Sequence, residues 1–445
     1  MAQLECYAAD YANGLLEQLG APRMLPPQPE THPALRWAQS GVMTLTGYPL
    51  DAPQMCPVPL ASYADGILAA LRALRPGAAL AALDAAGLLG ERAALAGFRR
   101  AGDVSAGGSC RLLQCADGTM AVSLARSSDW DLLPAWLEGG DIKGWGGVAA
   151  ALSTRTVAAC LERGRLLGLA LAALRPAPGT ARHWYRESYR VAGSSRPAPQ
   201  AAPRVVDLSA LWAGPLCTQL LQLMGAQVIK VESTARADGM RGAGDGFYDL
   251  LNAGKASVAL DLAQPSGREQ LRRILRSADI VVEASRPRAL RQLGIHAEAI
   301  LEENPGLTWV SITGHGREPP CADWVAFGDD GAVAGGLSQV LWDAAGRAMF
   351  CGDAIADPLT GLHAALAGWV SYRSGGGRLL SLALAEVIAY GIQCSDLGGP
   401  EAARARTEEW ARRLSTTDVV PPRARPVLAR ARGLGADTTQ VLAAV

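Results

Sequence analysis

Brief apolar runs alternate with amphipathic stretches through the second half of the chain. RVVDL (204–208) has the length and character of a buried strand. Gly214-Pro215 punctuates it, and proline suits a first helical turn, where its missing N–H costs nothing. PLCTQLLQLMG then carries a helical period and stops at Gly225. AQVIKVE (226–232) alternates and is β-branched, as a strand should be. SVALDL, the charged amphipathic GREQLRRILRSA, DIVVEAS and TWVSITGHG continue the alternation. Strands that alternate with helices predict an α/β fold with a Rossmann-like parallel sheet flanked by helices. The first half reads differently. CRLLQCADGTMAVSLAR (110–126) predicts two strands turning at Asp117-Gly118, and SDWDLLPAWLEGG predicts a helix capped by Ser128 or Asp129. That pattern indicates a smaller α+β domain placed N-terminally.

VAGSSRPAPQAAP (191–203) is rich in Gly, Ser and Pro and reads as a linker. The expected organisation is therefore 1–190, a degenerate first repeat with the small α+β domain, then the linker, then a Rossmann-like domain over 204–393. Residues 394–445 form a C-terminal tail expected to pack on that large domain. A repeat joins the halves. Residues 40–71 align with 335–366 without a gap, pairing Gly41 with Gly336, Cys56 with Cys351, and Gly66 with Gly361. A second shift places GLLEQLGA (14–21) on QLLQLMGA (219–226). Asp357 of the second copy falls on Ser62 of the first.

Charge narrows the function. Lys plus Arg and Asp plus Glu both total 42, so the net charge is zero and a dedicated nucleic-acid binder is not expected. Nine cysteines without CxxC pairing and five histidines without ligand spacing predict reduced thiols, a cytoplasmic setting and no metal. The N-terminus lacks a signal-peptide pattern, and no run of eighteen apolar residues suggests a membrane span. The S-A-L-W-A-G-P-L turn lacks G-x-G-x-x-G, so NAD is not expected, and Walker-A, zinc-protease and G-x-S-x-G patterns are absent.

Five ordered segments resemble the class III CoA-transferase (CaiB/BaiF) family. They are VVDLSALWAGPLCTQLLQLMGAQVIKVES with GMRG, LNAGKASVALDL, VVEASRPRALRQLGI, ITGHG and AIADPLTGLHAAL, and LGADTTQVLAAV resembles the family's ending. The first half resembles the same family in rearranged and partly duplicated order, with small-domain material placed first. The resemblance implies CoA transfer from an acyl-CoA to a carboxylic acid through an aspartyl anhydride and an aspartyl-CoA thioester at Asp357. A carboxylate suits this chemistry because it attacks an acyl carbon and is regenerated by a second acid. On spacing alone, Asp357 reads as a helix N-cap.

For CoA, the resemblance implies contacts from Leu211, Trp212, Ala213, Leu260, Ala284, Ser285 and Arg291. Arg241 and Lys255 are candidate phosphate partners, with salt bridging as the alternative for each. Ala284, Ser285 and Arg288 depart from the family's E-N-F-R-P-G. His315 and Asp329-Asp330 read as a core or loop histidine and a turn or helix cap. The resemblance also implies a homodimer, with a related family subunit as the alternative partner, and no membrane partner. Two alternatives stay open: an acyl-CoA racemase or isomerase using Asp357 as acid or base, and a non-catalytic CoA-binding partner subunit.

Overall fold

The computed structural model describes residues 7–139, 142–179, 183–192, 202–244, 246–414 and 418–445. Most of the expected linker, 193–201, lies outside the described residues. Strands β1 (Cys110–Cys115), β2 (Gly118–Ser123) and β3 (Ala170–Ala173) form an antiparallel sheet. Cys115 pairs with Gly118, so the turn falls at Ala116-Asp117, one residue before the expected Asp117-Gly118. Strands β4 (Arg186–Arg190), β5 (Arg204–Leu208), β6 (Gln227–Ser233), β7 (Ala256–Leu260), β8 (Ile280–Glu283), β9 (Thr308–Thr313) and β10 (Arg378–Ala383) form the main sheet. Among the described residues its order is β4-β10-β9-β8-β5-β6-β7, parallel except for β4. The chain runs outward from β5 through β6 to β7, then returns to β8 on the other side of β5. A doubly wound sheet opens a crevice where its order reverses, at the carboxyl ends of the two diverging strands. Here those strands are β5 and β8.

Six helices contribute to the apolar core beside this sheet. They are α1 (Tyr7–Gln18), α2 (Leu60–Leu74), α3 (Glu91–Ala96), α4 (Ala213–Leu223), α5 (Gly328–Ala334) and α6 (Ala356–Arg373). Helix α6 is buried over almost its whole length, with nearly continuous small and apolar residues around its circumference, as a helix inside a core requires.

The expected division at residue 190 does not divide the packing. Leu15, Trp37 and Ile67 share one apolar core with Leu216, Leu362 and Ile388, and β4 pairs with β10. A Pro/Gly/Ser-rich stretch reports a permissive backbone, whereas a domain boundary needs few buried contacts across it. The small sheet does carry a cluster of its own, built on Met120, Val122, Trp136, Leu152 and Leu171. The expected cap at Ser128 or Asp129 is also corrected. Arg126 precedes the helix, and the Asp129 carboxylate accepts its N–H at 2.9 Å from inside the first turn. In the tail, Asp437 accepts the Ser257 N–H at 2.8 Å and donates its own to the Ser257 carbonyl at 2.9 Å, covering the exposed edge of β7.

The segments that align in the sequence share local geometry. Gly41 and Gly336 both adopt positive φ, 82° and 96°, and each opens a helical turn. The thiols of Cys56 and Cys351 hydrogen-bond to each other. Gly361 lets α6 approach α4 so closely that a Cβ would lie 2.7 Å from the Ala213 carbonyl oxygen. Gly66 does the same for α2, whose neighbour is the Ala8 carbonyl of α1. Ala8 and Ala213 are themselves paired by the shift that relates 14–21 to 219–226. The helix pair α1/α2 therefore repeats the close approach of α4/α6. Because backbone rather than a flexible side chain faces Gly66, Gly66→Ala should cost about 1–3 kcal/mol, read as a lower midpoint in urea. An unchanged midpoint would mean that α1 moves aside freely.

Candidate active site

Asp357 is the second residue of α6, and Ile355 stands at the helix N-cap without a side-chain bond. It is thus a first-turn carboxylate rather than the cap read from spacing, and still faces the positive end of the helix dipole. The turn before it is tightly specified. Ala354 takes φ 43°, rare for a residue with a Cβ. Its N–H donates to Asp329 Oδ1 at 2.8 Å, and its carbonyl accepts the Asp357 N–H at 2.9 Å. Gly328, which opens α5, lies so close that a Cβ would collide with the Ala354 carbonyl and the Asp357 carboxylate. The Gly328 N–H instead hydrogen-bonds that carboxylate.

Asp329 and Asp330 were expected to be turn or cap residues. Asp330 does cap, accepting the Phe327 N–H at 2.9 Å. Asp329 reaches further, because it fixes the strained turn carrying Asp357. Sequence reading also missed Arg92, on α3 in the first half. Arg92 Nε donates to Asp353 Oδ2 at 2.8 Å, and Nη2 donates to Asp353 Oδ1. The guanidinium lies 5.3 Å from the Trp212 ring centroid and 5.7 Å from that of Phe98. Gly107 comes close as well, with a Cβ position 3.7 Å from Arg92 Nη2. Helix α3 is anchored from the tail, where Arg425 Nε and Nη2 donate to Glu91 at 2.6 and 2.9 Å.

Burial pushes Asp357 up to about 7; repulsion from Asp329 and Asp353 adds to this, while Arg92 and the Gly328 N–H pull the other way. Burial and Asp353 likewise raise Asp329 to about 6. Asp330 is raised well above the carboxylate range, again chiefly by burial. One largely buried acid thus titrates near neutrality inside a cluster of carboxylates faced by a single guanidinium, the sort of perturbation that marks reactive sites.

The residues expected at CoA separate into two groups. Leu211, Trp212 and Ala213 follow β5, and Ala284 and Ser285 follow β8, so these five meet at the reversal crevice. Leu211 holds φ 68° and is 39% exposed, which leaves it available to a ligand. Leu260 ends β7, away from that crevice, and is buried, as are Trp212 and Ala213. Arg291 is exposed and 3.6 Å from Glu298.

Lys255 is not at the surface. Its ammonium meets Asp207 Oδ2, the Pro215 carbonyl and Asn252 Oδ1 at 3.0 Å and Thr218 Oγ1 at 2.7 Å. Three N–H groups with four buried acceptors leave none for a phosphate. Arg241 is similarly committed, its Nε 2.9 Å from Glu232 Oε1 and its Nη1 3.0 Å from the Arg432 carbonyl. For both residues the salt-bridge alternative describes the geometry. His315 is buried, which lowers it to about 4, and it packs edge-on against Trp324.

In the first copy, Ser62 occupies the position of Asp357. It is buried, and among the described residues its Oγ has no hydrogen-bond partner. The N–H groups of Ala8 and Ala9, at the start of α1, are taken by the Glu30 carboxylate at 2.8 and 2.9 Å. The first copy thus lacks the carboxylate that Asp357 supplies in the second.

Residues 202–420 match the family described as CoA-transferase family III. Over that span the chain is similar to CoA-transferase family III. Similar curated members include a succinate–glutarate CoA-transferase from Agrobacterium fabrum, 34% identical over 212 residues, covering 43% of this chain and 52% of that protein. A formyl-CoA:oxalate CoA-transferase from Afipia carboxidovorans is 35% identical over 170 residues, covering 37% of this chain and 40% of that protein. The chain spans about half the length of the curated relatives it matches. Among solved structures, a hypothetical protein from Mycobacterium tuberculosis aligns with TM-score 0.41 and 28% identity, over 46% of this chain and 60% of that one. The matched span holds β5 to β10, α4, α5 and α6, while β4 of the large sheet and Arg92, Phe98 and Gly107 lie outside it. Among the described residues no helix is long and apolar enough to cross a membrane.

Proposed function

We propose that the chain moves CoA from an acyl-CoA to a carboxylic acid in the cytoplasm, with Asp357 as nucleophile. The observation that carries this reading is the Asp357 carboxylate itself, largely buried on the first turn of α6, beside Arg92 and held by the Gly328 N–H. An Asp357 oxygen attacks the thioester carbonyl, the C–S bond breaks, and an aspartyl anhydride and CoA thiolate form. The thiolate then attacks the Asp357 carbonyl of the anhydride and expels the donor acid, leaving an aspartyl-CoA thioester. The acceptor acid enters by the reverse sequence, which regenerates the carboxylate. No redox partner is needed, and protons balance throughout.

The crevice lined by Leu211, Trp212, Ala213, Ala284 and Ser285 supports CoA as the substrate's handle. The relatives' names point to short carboxylic acids as donors and acceptors. Trapping tests the reading. Wild type and Asp357→Ala are incubated with a panel of acyl-CoAs, including succinyl-, glutaryl- and formyl-CoA, with hydroxylamine or borohydride present. Mass spectrometry should find a hydroxamate or a reduced side chain at Asp357 in wild type only. An unmodified Asp357 in a protein that binds CoA would sink the anhydride route.

The pH dependence follows from the same carboxylate. Only ionised Asp357 attacks, and its pKa is raised to about 7. Below pH 7, kcat/KM for the acyl-CoA should therefore fall about tenfold per unit, whereas an unperturbed aspartate would hold it flat to about pH 4. A flat profile between pH 5 and 8 would rule out Asp357 as a nucleophile in this environment.

A further inference from the structure

Arg92 uses only one edge of its guanidinium on the protein. Nε and one N–H of Nη2 form the fork to Asp353. A guanidinium carries five N–H donors in a plane, and among the described residues Arg92 Nη1 has no hydrogen-bond partner. The unused edge is also the accessible one, because the Arg92 side chain is 23% exposed while that of Asp353 is 0% exposed. Trp212 and Phe98 pack against the guanidinium, and the Glu91–Arg425 pair holds its helix. This is a positioned donor rather than a mobile surface arginine.

An acid approaching Asp357 meets Asp329 and Asp353 in the same cluster. Repulsion by these groups works against a second anion entering a largely buried site. Arg92 is the cation acting on Asp357, and its free edge matches a carboxylate in shape and charge. We propose that the Nη1 edge of Arg92 receives the carboxylate of the acid substrate and presents it to the Asp357 acyl carbon. The proposal rests on the transfer reading above. In the step it serves, an oxygen of the docked acid attacks the aspartyl-CoA thioester, the C–O bond forms, the C–S bond breaks and CoA leaves as thiolate. Arg92 keeps its proton throughout, and its Asp353 fork stays made.

Binding without turnover tests it. Succinate is titrated calorimetrically into Asp357→Asn and into Asp357→Asn/Arg92→Lys, with free CoA titrated into both as a control. Lysine keeps a cation against Asp353 but lacks the second donor edge. Succinate affinity should fall about tenfold or more, with CoA affinity within about twofold. Arg92→Gln/Asp353→Asn, which buries no lone charge, should show the same loss with its circular dichroism retained. In turnover, Arg92→Lys should raise KM for the acid. Equal succinate binding with and without Arg92 overturns the proposal. If wild type still forms the Asp357 adduct in that case, the transfer reading survives. No adduct from any acyl-CoA sinks the transfer reading and the acceptor role of Arg92 together.

Discussion

Asp357→Asn is expected to lose about 10⁴-fold or more in transfer rate and, at pH 8, to be more stable than wild type. The activity loss follows from chemistry, since a carboxamide cannot form the anhydride, while its shape leaves the α6 turn and the Gly328 N–H contact in place. The stability gain follows from linkage. Burial raises Asp357 from its ordinary 3.8 to about 7 in the folded chain. Between those values the folded state holds a proton that the unfolded state has released. Stability therefore falls as pH rises from about 4 to 7, and the full cost is present above 7. Asparagine carries no such cost. Because Asp357 is not wholly sealed from solvent, the gain is on the order of 1–2 kcal/mol rather than the several that the whole shift implies. Thermal melts at pH 5 and pH 8 check it. The variant's advantage should be present at pH 8 and shrink at pH 5. A variant equally or less stable at pH 8 would mean that the carboxylate is comfortable where it sits.

The α/β order of 204–383 was legible because each strand is buried on both faces. RVVDL, DIVVE and TWVSIT read as near-continuous apolar runs, and the residues between them carry helical period or capping signals. Asp357 was legible through resemblance, since an acid before an apolar helix looks like a cap on spacing alone. Arg92 was not legible. It lies 261 residues from Asp353 in sequence, on a six-residue helix too short to show a period, and pairing across the fold leaves no local trace. Gly107 was invisible for the same reason. The linker misled about the division at 190, because composition reports what the backbone may do and not which apolar surfaces meet. Lys255 misled in a more instructive way. Its cue was elsewhere, in the aspartate of RVVDL: an acid inside a doubly buried strand demands a cation, and a lysine just before β7 supplies it.

Lys255→Met should therefore cost about 3–5 kcal/mol of stability. Asp207 and Lys255 are both buried, 0% and 2% exposed, with Nζ and Oδ2 3.0 Å apart. Methionine fills similar space but leaves the Asp207 charge in the sheet with only Ser209, Thr218 and the more distant Lys230 around it. Burial alone would raise Asp207, and Lys255 with Lys230 instead holds it below the usual carboxylate range. That depressed value means the wild-type pair contributes stability above about pH 4 and loses it as pH falls further. Without Lys255, the Asp207 pKa must climb, and the variant can protonate it instead. The deficit measured by urea unfolding should consequently be largest near pH 7 and narrow towards pH 4. Asp207→Asn in the same chain should restore part of the loss, because an apolar or neutral replacement of both partners is tolerated far better than one orphaned charge. The alternative role predicts the opposite pattern. A lysine that met a CoA phosphate would, when replaced, raise KM for the acyl-CoA in a salt-dependent way and leave the unfolding midpoint where it was.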